Sequence, residues 1–140
     1  MFTAQADLEL VAPVEDVWGF VAEPRHLADW WPGIAAIEPD RRGLAPGARW
    51  VARGTGQAPL LRKAHAEDVI VIRDVEEYRR VLFHKVKDRV DAELLLEPAG
   101  HDHTMARLAV RGPLLLAFGR RLPREALARL HALCQTAATL

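Results

Sequence analysis

Six histidines, one cysteine and no serine set the chemistry open to this chain of 140 residues. Without serine there is no serine nucleophile, and Cys134 is the only thiol. His101, Asp102 and His103 form a His-X-His pattern inside "PAGHDH". A catalytic zinc needs three protein ligands in a shaped site. No third ligand accompanies this pair, so the segment reads as a solvated hairpin turn and no metal or cofactor is expected. His65 and His84 fall within strand-like stretches. An imidazole titrates near neutrality, so these two are the candidates for general acid–base work. His84 faces the interior if Leu82 and Val86 do, and solvent if Val81 and Phe83 do. Tyr78 falls at a turn. Arg120, Arg121 and Arg124 read as the solvated side of a helix. The glycines of "RGTGQAP" lack the Lys-Ser/Thr and the helix of a phosphate loop.

Composition narrows the partner. Nineteen basic residues balance nineteen acidic ones. With no positive surplus there is no global electrostatic reason to expect nucleic acid. A single cysteine gives no internal disulfide. "MFTAQADLEL" has neither the basic start nor the apolar run of a signal peptide. No apolar stretch approaches the roughly 18 residues of a membrane span. A cytoplasmic protein is therefore expected. The chain is half hydrophobic, and one domain over residues 1–140 buries roughly 68–70% of its unfolded surface.

The elements follow from periodicity. Residues 2–12 alternate, with Phe2, Ala4, Ala6, Leu8 and Leu10 on one face, as in a half-buried strand. Pro13, Glu15 and Asp16 suit the start of a helix whose apolar face is Val14, Val17, Trp18 and Val21. Pro24 opens a second short helix, which Pro32-Gly33 ends just after Trp30 and Trp31. Strands are predicted over 34–41, 47–56, 62–73, 79–87, 89–97 and 104–111, with a turn at 73–78. After Pro113 the period becomes helical, and Leu127, Leu130, Cys134 and Ala137 form a stripe. Short turns between successive strands imply antiparallel pairing. The apolar face of such a sheet needs a cover, and the last helix is long enough to supply it.

"LELVAPVEDVWGFVAEPRHLADWWPGI", "GLAPGARW" and the closing amphipathic helix together resemble the helix-grip superfamily, also called START-like or SRPBCC. The polyketide cyclase/dehydrase-like branch is the most similar. Ala12-Pro13, Val17-Trp18, Trp30 with Pro32, and Pro46-Gly47 carry the resemblance. It implies an α+β fold: a curved antiparallel sheet of about seven strands around a long C-terminal helix, with two short helices after the first strand. It also implies a cavity between sheet and helix that takes a small hydrophobic or aromatic molecule. Its wall is then expected from Trp30, Trp31, Trp50, Leu94, Leu96, Leu108, Leu127 and Leu130, with His84 orienting the ligand. Trp50 stands out because Ala52 and Gly54, on the same strand face, leave room beside its ring. A polyketide cyclase or dehydratase using the same cavity, with His65 or His84 moving the proton, is one alternative. A protein-interaction module is another. A homodimer is compatible with each reading.

Overall fold

The computed structural model describes residues 2–55, 67–113 and 120–138. His65, Arg62 and the segment 114–119 lie outside the described residues. Seven antiparallel strands follow one another: β1 (Phe2–Leu10), β2 (Ile34–Glu38), β3 (Arg49–Gly54), β4 (Glu67–Glu76), β5 (Arg80–Lys85), β6 (Val90–Pro98) and β7 (Thr104–Gly112). They form one sheet in the order β1-β7-β6-β5-β4-β3-β2. Helices α1 (Val14–Ala22) and α2 (Leu27–Trp30) lie between β1 and β2, and α3 (Leu122–Ala138) closes the chain. This is the α+β helix-grip architecture.

Alternation sets the two faces. In β1, β6 and β7 the fully buried residues line one face, and the charges lie on the other with Leu95, Met105 and Ala109 among them. The register places Leu94 opposite Leu108 and Ala92 opposite Val110 on the inner side. On the outer side cross-strand ion pairs take over: Arg107 with Asp7 at 2.8 Å, Arg80 with Glu93 at 2.8 Å and with Asp74, and Arg53 with Glu38 at 3.2 Å. The exposed pairs among them, Arg107–Asp7 and Arg53–Glu38, set register more than stability. They also explain a chain with many charges and no net one.

The inner face is covered by α3, which packs on β1, β7, α1 and α2. Leu122, Ala126, Leu127, Leu130 and Cys134 make its buried stripe. The start of α1 is tied to the sheet by the buried Thr104 hydroxyl, which donates to the Ala12 carbonyl at 2.8 Å. Pro13 immediately precedes α1, its carbonyl accepting from the N–H groups of Asp16 and Val17. Among the described residues no helix is long and apolar enough to cross a membrane.

The predicted turn over 73–78 is smaller than expected. Strand β4 runs to Glu76, with a bulge between Ile72 and Asp74. Only Glu77 to Arg79 turn, with Tyr78 at φ +65°. The Tyr78 ring is not simply solvated: it packs edge-on against Trp18, centroids 6.1 Å apart.

Cys134 is buried between α3 and α1. Burial, then the nearby Asp16 carboxylate, push its thiol up to about 11. The reactive species is the thiolate. At pH 8 the shift from an ordinary value near 9 cuts the thiolate fraction about a hundredfold. Iodoacetamide should therefore label the folded protein at least about a hundredfold more slowly than the urea-unfolded chain. Comparable rates in both states would mean that the helix opens readily.

Candidate functional site

The inner face narrows to an apolar gap beneath the short helices. Val21 of α1 and Leu27 and Trp30 of α2 form one wall. Leu44, from the β2–β3 connection, forms a second. Trp50, Ile72, Val81, Phe83 and Leu94 rise from four adjacent strands as the floor. The gap measures about 10 Å³, room for about one water.

Local sequence explains why these side chains converge. Trp50 is held by its indole N–H, which donates to the Gly43 carbonyl at 2.9 Å. Gly43 adopts φ +61° and Gly47 φ +87°, conformations that glycine takes without a Cβ penalty. They allow the connection 39–48 to fold back, where Gly47 N–H donates to the Ile72 carbonyl at 2.7 Å. Asp40 fastens its other end, accepting from the N–H groups of Arg42 and Arg49. The backbone N–H of Arg49, above the other donors, holds the Asp40 carboxyl below its ordinary range. The turn at Pro32 and Gly33, with Gly33 at φ +88°, stops α2 so that both tryptophans turn inward.

The two adjacent tryptophans have different positions. Trp30 lines the gap. Trp31 lies behind it, edge-on to Trp30 at 6.0 Å and to Phe83 at 5.2 Å. Trp50 and Leu94 line the gap with Trp30. Leu96, Leu108, Leu127 and Leu130 are fully buried but are not among the gap's walls.

His84 does not reach this gap. Val81 and Phe83 take the inner face of β5, so His84 stands on the outer one, its Nδ1 2.8 Å from Asp91 Oδ1. The reason is strand alternation: a residue next to an inward Phe83 must point away. His101, Asp102 and His103 lie on and beside the β6–β7 turn, where His103 Nδ1 meets the His101 carbonyl at 2.7 Å. Arg120, Arg121 and Arg124 are exposed.

Several residues escape the sequence reading. Phe83 and Val81 form the floor, yet β5 has apolar residues at both phases. Leu44 sits in a connection with no period at all. Lys85 occupies the inner phase of β5, opposite the buried Ile70 and Val90. A wider, open groove of about 710 Å³ is lined by Glu15, Asp16 and Phe20 of α1, Asp102, and Cys134 and Ala138 near the end of α3.

Comparison with known proteins agrees with this architecture. An uncharacterised protein from Bacillus thuringiensis superposes with a TM-score of 0.74 at 9% identity, covering 96% of this chain and 99% of its own. A protein from Chromobacterium violaceum gives 0.69 at 16% identity, covering 95% and 97%. A norcoclaurine synthase point mutant from Thalictrum flavum, in complex with a transition-state analogue, gives 0.67 at 15% identity, covering 98% and 96%. At these identities the likeness is one of fold. No curated protein matches the sequence. The sequence profile described as polyketide cyclase/dehydrase and lipid transport matches residues 1–135, and the chain belongs to that family.

Proposed function

We propose that the protein binds a small aromatic or apolar molecule between the inner face of its sheet and the short helices. The observation that carries this reading is the convergence of Trp30, Trp50, Phe83 and Leu94 on one apolar gap. Sites for small molecules typically span roughly 300–1,000 Å³. The gap is far smaller, about 10 Å³, so binding requires a wall to move. Leu44 and the four-residue α2, with Val21 of α1, are the walls that no strand pairing holds, and α2 is the shorter of the two helices. The ligand then selects an open form, and its apparent affinity is lowered by the rarity of that form.

Binding is favoured over cyclase or dehydratase activity by the position of His84. Its imidazole pairs with Asp91 on the outer face, away from any substrate in the gap. His65, the other histidine of the catalytic alternative, lies outside the described residues.

The test is a titration with naphthalene-sized probes, followed by tryptophan fluorescence. Trp30 and Trp50 are its reporters. Saturation at micromolar probe is expected. Leu94→Trp, which fills the gap, should abolish it. Leu44→Ala, which thins the moving wall, should tighten binding several-fold. A flat response from both the parent protein and Leu44→Ala would leave the gap as packing and favour a protein partner instead.

A further inference from the structure

We infer that Lys85 is the polar anchor of this site, an ammonium held ready to donate to a carbonyl or phenol oxygen of an aromatic ligand. The inference rests on the binding reading above and names what that ligand must carry.

Among the described residues Lys85 is the only cation on the inner face of the sheet. It is not itself a wall of the gap: it lies one inward step beyond Phe83, which is one, between the buried Ile70 and Val90 of the neighbouring strands. Lysine ordinarily sends its head group to water along an apolar stem. Here the side chain is 13% exposed, and that of its partner Asp88 is 7% exposed. A buried ion pair is commonly no more stable than an apolar pair of the same size. Packing alone therefore does not account for a lysine at this position.

The ammonium is held in place. Nζ donates to Asp88 Oδ2 at 2.9 Å. Asp88 sits in the β5–β6 turn, which Asp68 of β4 fixes from across the sheet. Asp68 Oδ1 accepts from the Lys87 N–H at 2.7 Å, and Oδ2 accepts from the Asp88 N–H at 3.1 Å. An ammonium has three N–H donors. Asp88 takes one, and among the described residues no second acceptor meets the other two. A donor fixed before the ligand arrives loses little entropy on binding.

The charge balance selects the ligand's polar group. Among the described residues Asp88 pairs with Lys85, and Asp68 adds a carboxylate beside the same turn. Among the described residues this cluster shows no positive surplus to hold a carboxylate. A neutral oxygen acceptor suits it better, on a ring lying against Phe83.

The experiment compares 2-acetylnaphthalene with 2-isopropylnaphthalene, which has the same shape without the oxygen. Dissociation constants come from tryptophan fluorescence for the parent protein, Lys85→Met and Lys85→Gln. Lys85→Met should weaken the ketone about tenfold, the loss of one charged hydrogen bond. It should leave the hydrocarbon within about twofold. Lys85→Gln, which keeps a donor, should lie between, and it carries the test if Lys85→Met fails to fold by circular dichroism. Equal losses for both probes, or no loss for either, overturn the anchor while the binding reading stands. If the parent protein binds neither probe, the binding reading itself fails and the anchor with it. Tighter binding of 2-naphthoate than of the ketone overturns the choice of a neutral oxygen.

Discussion

Trp31→Ala should destabilise the protein by about 4 kcal/mol, as expected for emptying a fully buried tryptophan site. Trp31 is 1% exposed and sits edge-on between two other rings. Such aromatic pairs add roughly 0.5–1.5 kcal/mol beyond the area they bury. Its backbone matters as well, since the Trp31 N–H closes α2 on the Leu27 carbonyl at 2.8 Å, but alanine keeps that bond. The loss therefore falls on the cavity left between Trp30 and Phe83. Stability of domains this size is about 5–15 kcal/mol, so the variant stays folded but melts roughly 10–15 °C lower. Trp31→Phe keeps a ring against Phe83 and should lose about 1–2 kcal/mol. Met105→Ala, on the outer face, should stay within about 0.5 kcal/mol. Urea unfolding followed by far-ultraviolet circular dichroism measures all three without relying on tryptophan emission. A Trp31→Ala loss below about 1 kcal/mol would mean that neighbouring chains collapse into the space. The ring would then be less central than its burial indicates.

The same pair of tryptophans shows where sequence reading reaches its limit. That Trp30 and Trp31 end a short helix above the sheet was legible, because Pro24, Pro32 and Gly33 punctuate it. Which of the two meets the gap was not, because that depends on Phe83, about fifty residues further along. Strands β1, β6 and β7 were legible for a physical reason: each has a charged phase and an apolar phase, so one face only can be buried. Strand β5 offers no such contrast. Its inner set is Val81, Phe83 and Lys85, and its outer set holds Leu82 and His84. On the outer side Arg80 and His84 are met by Glu93 and Asp91 on β6, partners that no local pattern announces. The early end assigned to β4 has a similar origin. A bulge lets Asp74 reach Arg80, and the true turn uses Tyr78 in a left-handed conformation where glycine would have been the signal. Trp50 was readable from its small neighbours. Its hydrogen bond to Gly43 was not, since it depends on how the connection folds back.

Asp68 is the least legible of the residues that matter, and its removal should have the second largest effect. It is 2% exposed and stands on β4, where its carboxylate accepts from the N–H groups of Val69 at 2.7 Å, Lys87 at 2.7 Å and Asp88 at 3.1 Å. Two of those donors are 19 and 20 residues away, in a turn where Arg89 adopts φ +56°. Asp68→Ala deletes the acceptor and leaves buried donors without a partner. Each such group costs roughly 1–3 kcal/mol, and partial rescue by water brings the expected total to about 3 kcal/mol. Asp68→Asn keeps one acceptor oxygen but sets an NH₂ group beside a donor. Its loss should be roughly half as large. Hydrogen exchange locates the effect, because the Lys87 and Asp88 amides should exchange much faster in Asp68→Ala while the β1–β7 ladder keeps its protection. Unchanged exchange at those two amides would show that something other than Asp68 holds the turn. If they do exchange freely, Asp88 no longer fixes the Lys85 ammonium. The preference for 2-acetylnaphthalene over its hydrocarbon analogue should then weaken even though Lys85 is still present. A residue outside the gap would thereby control what the gap prefers, through the turn that aims the Lys85 ammonium.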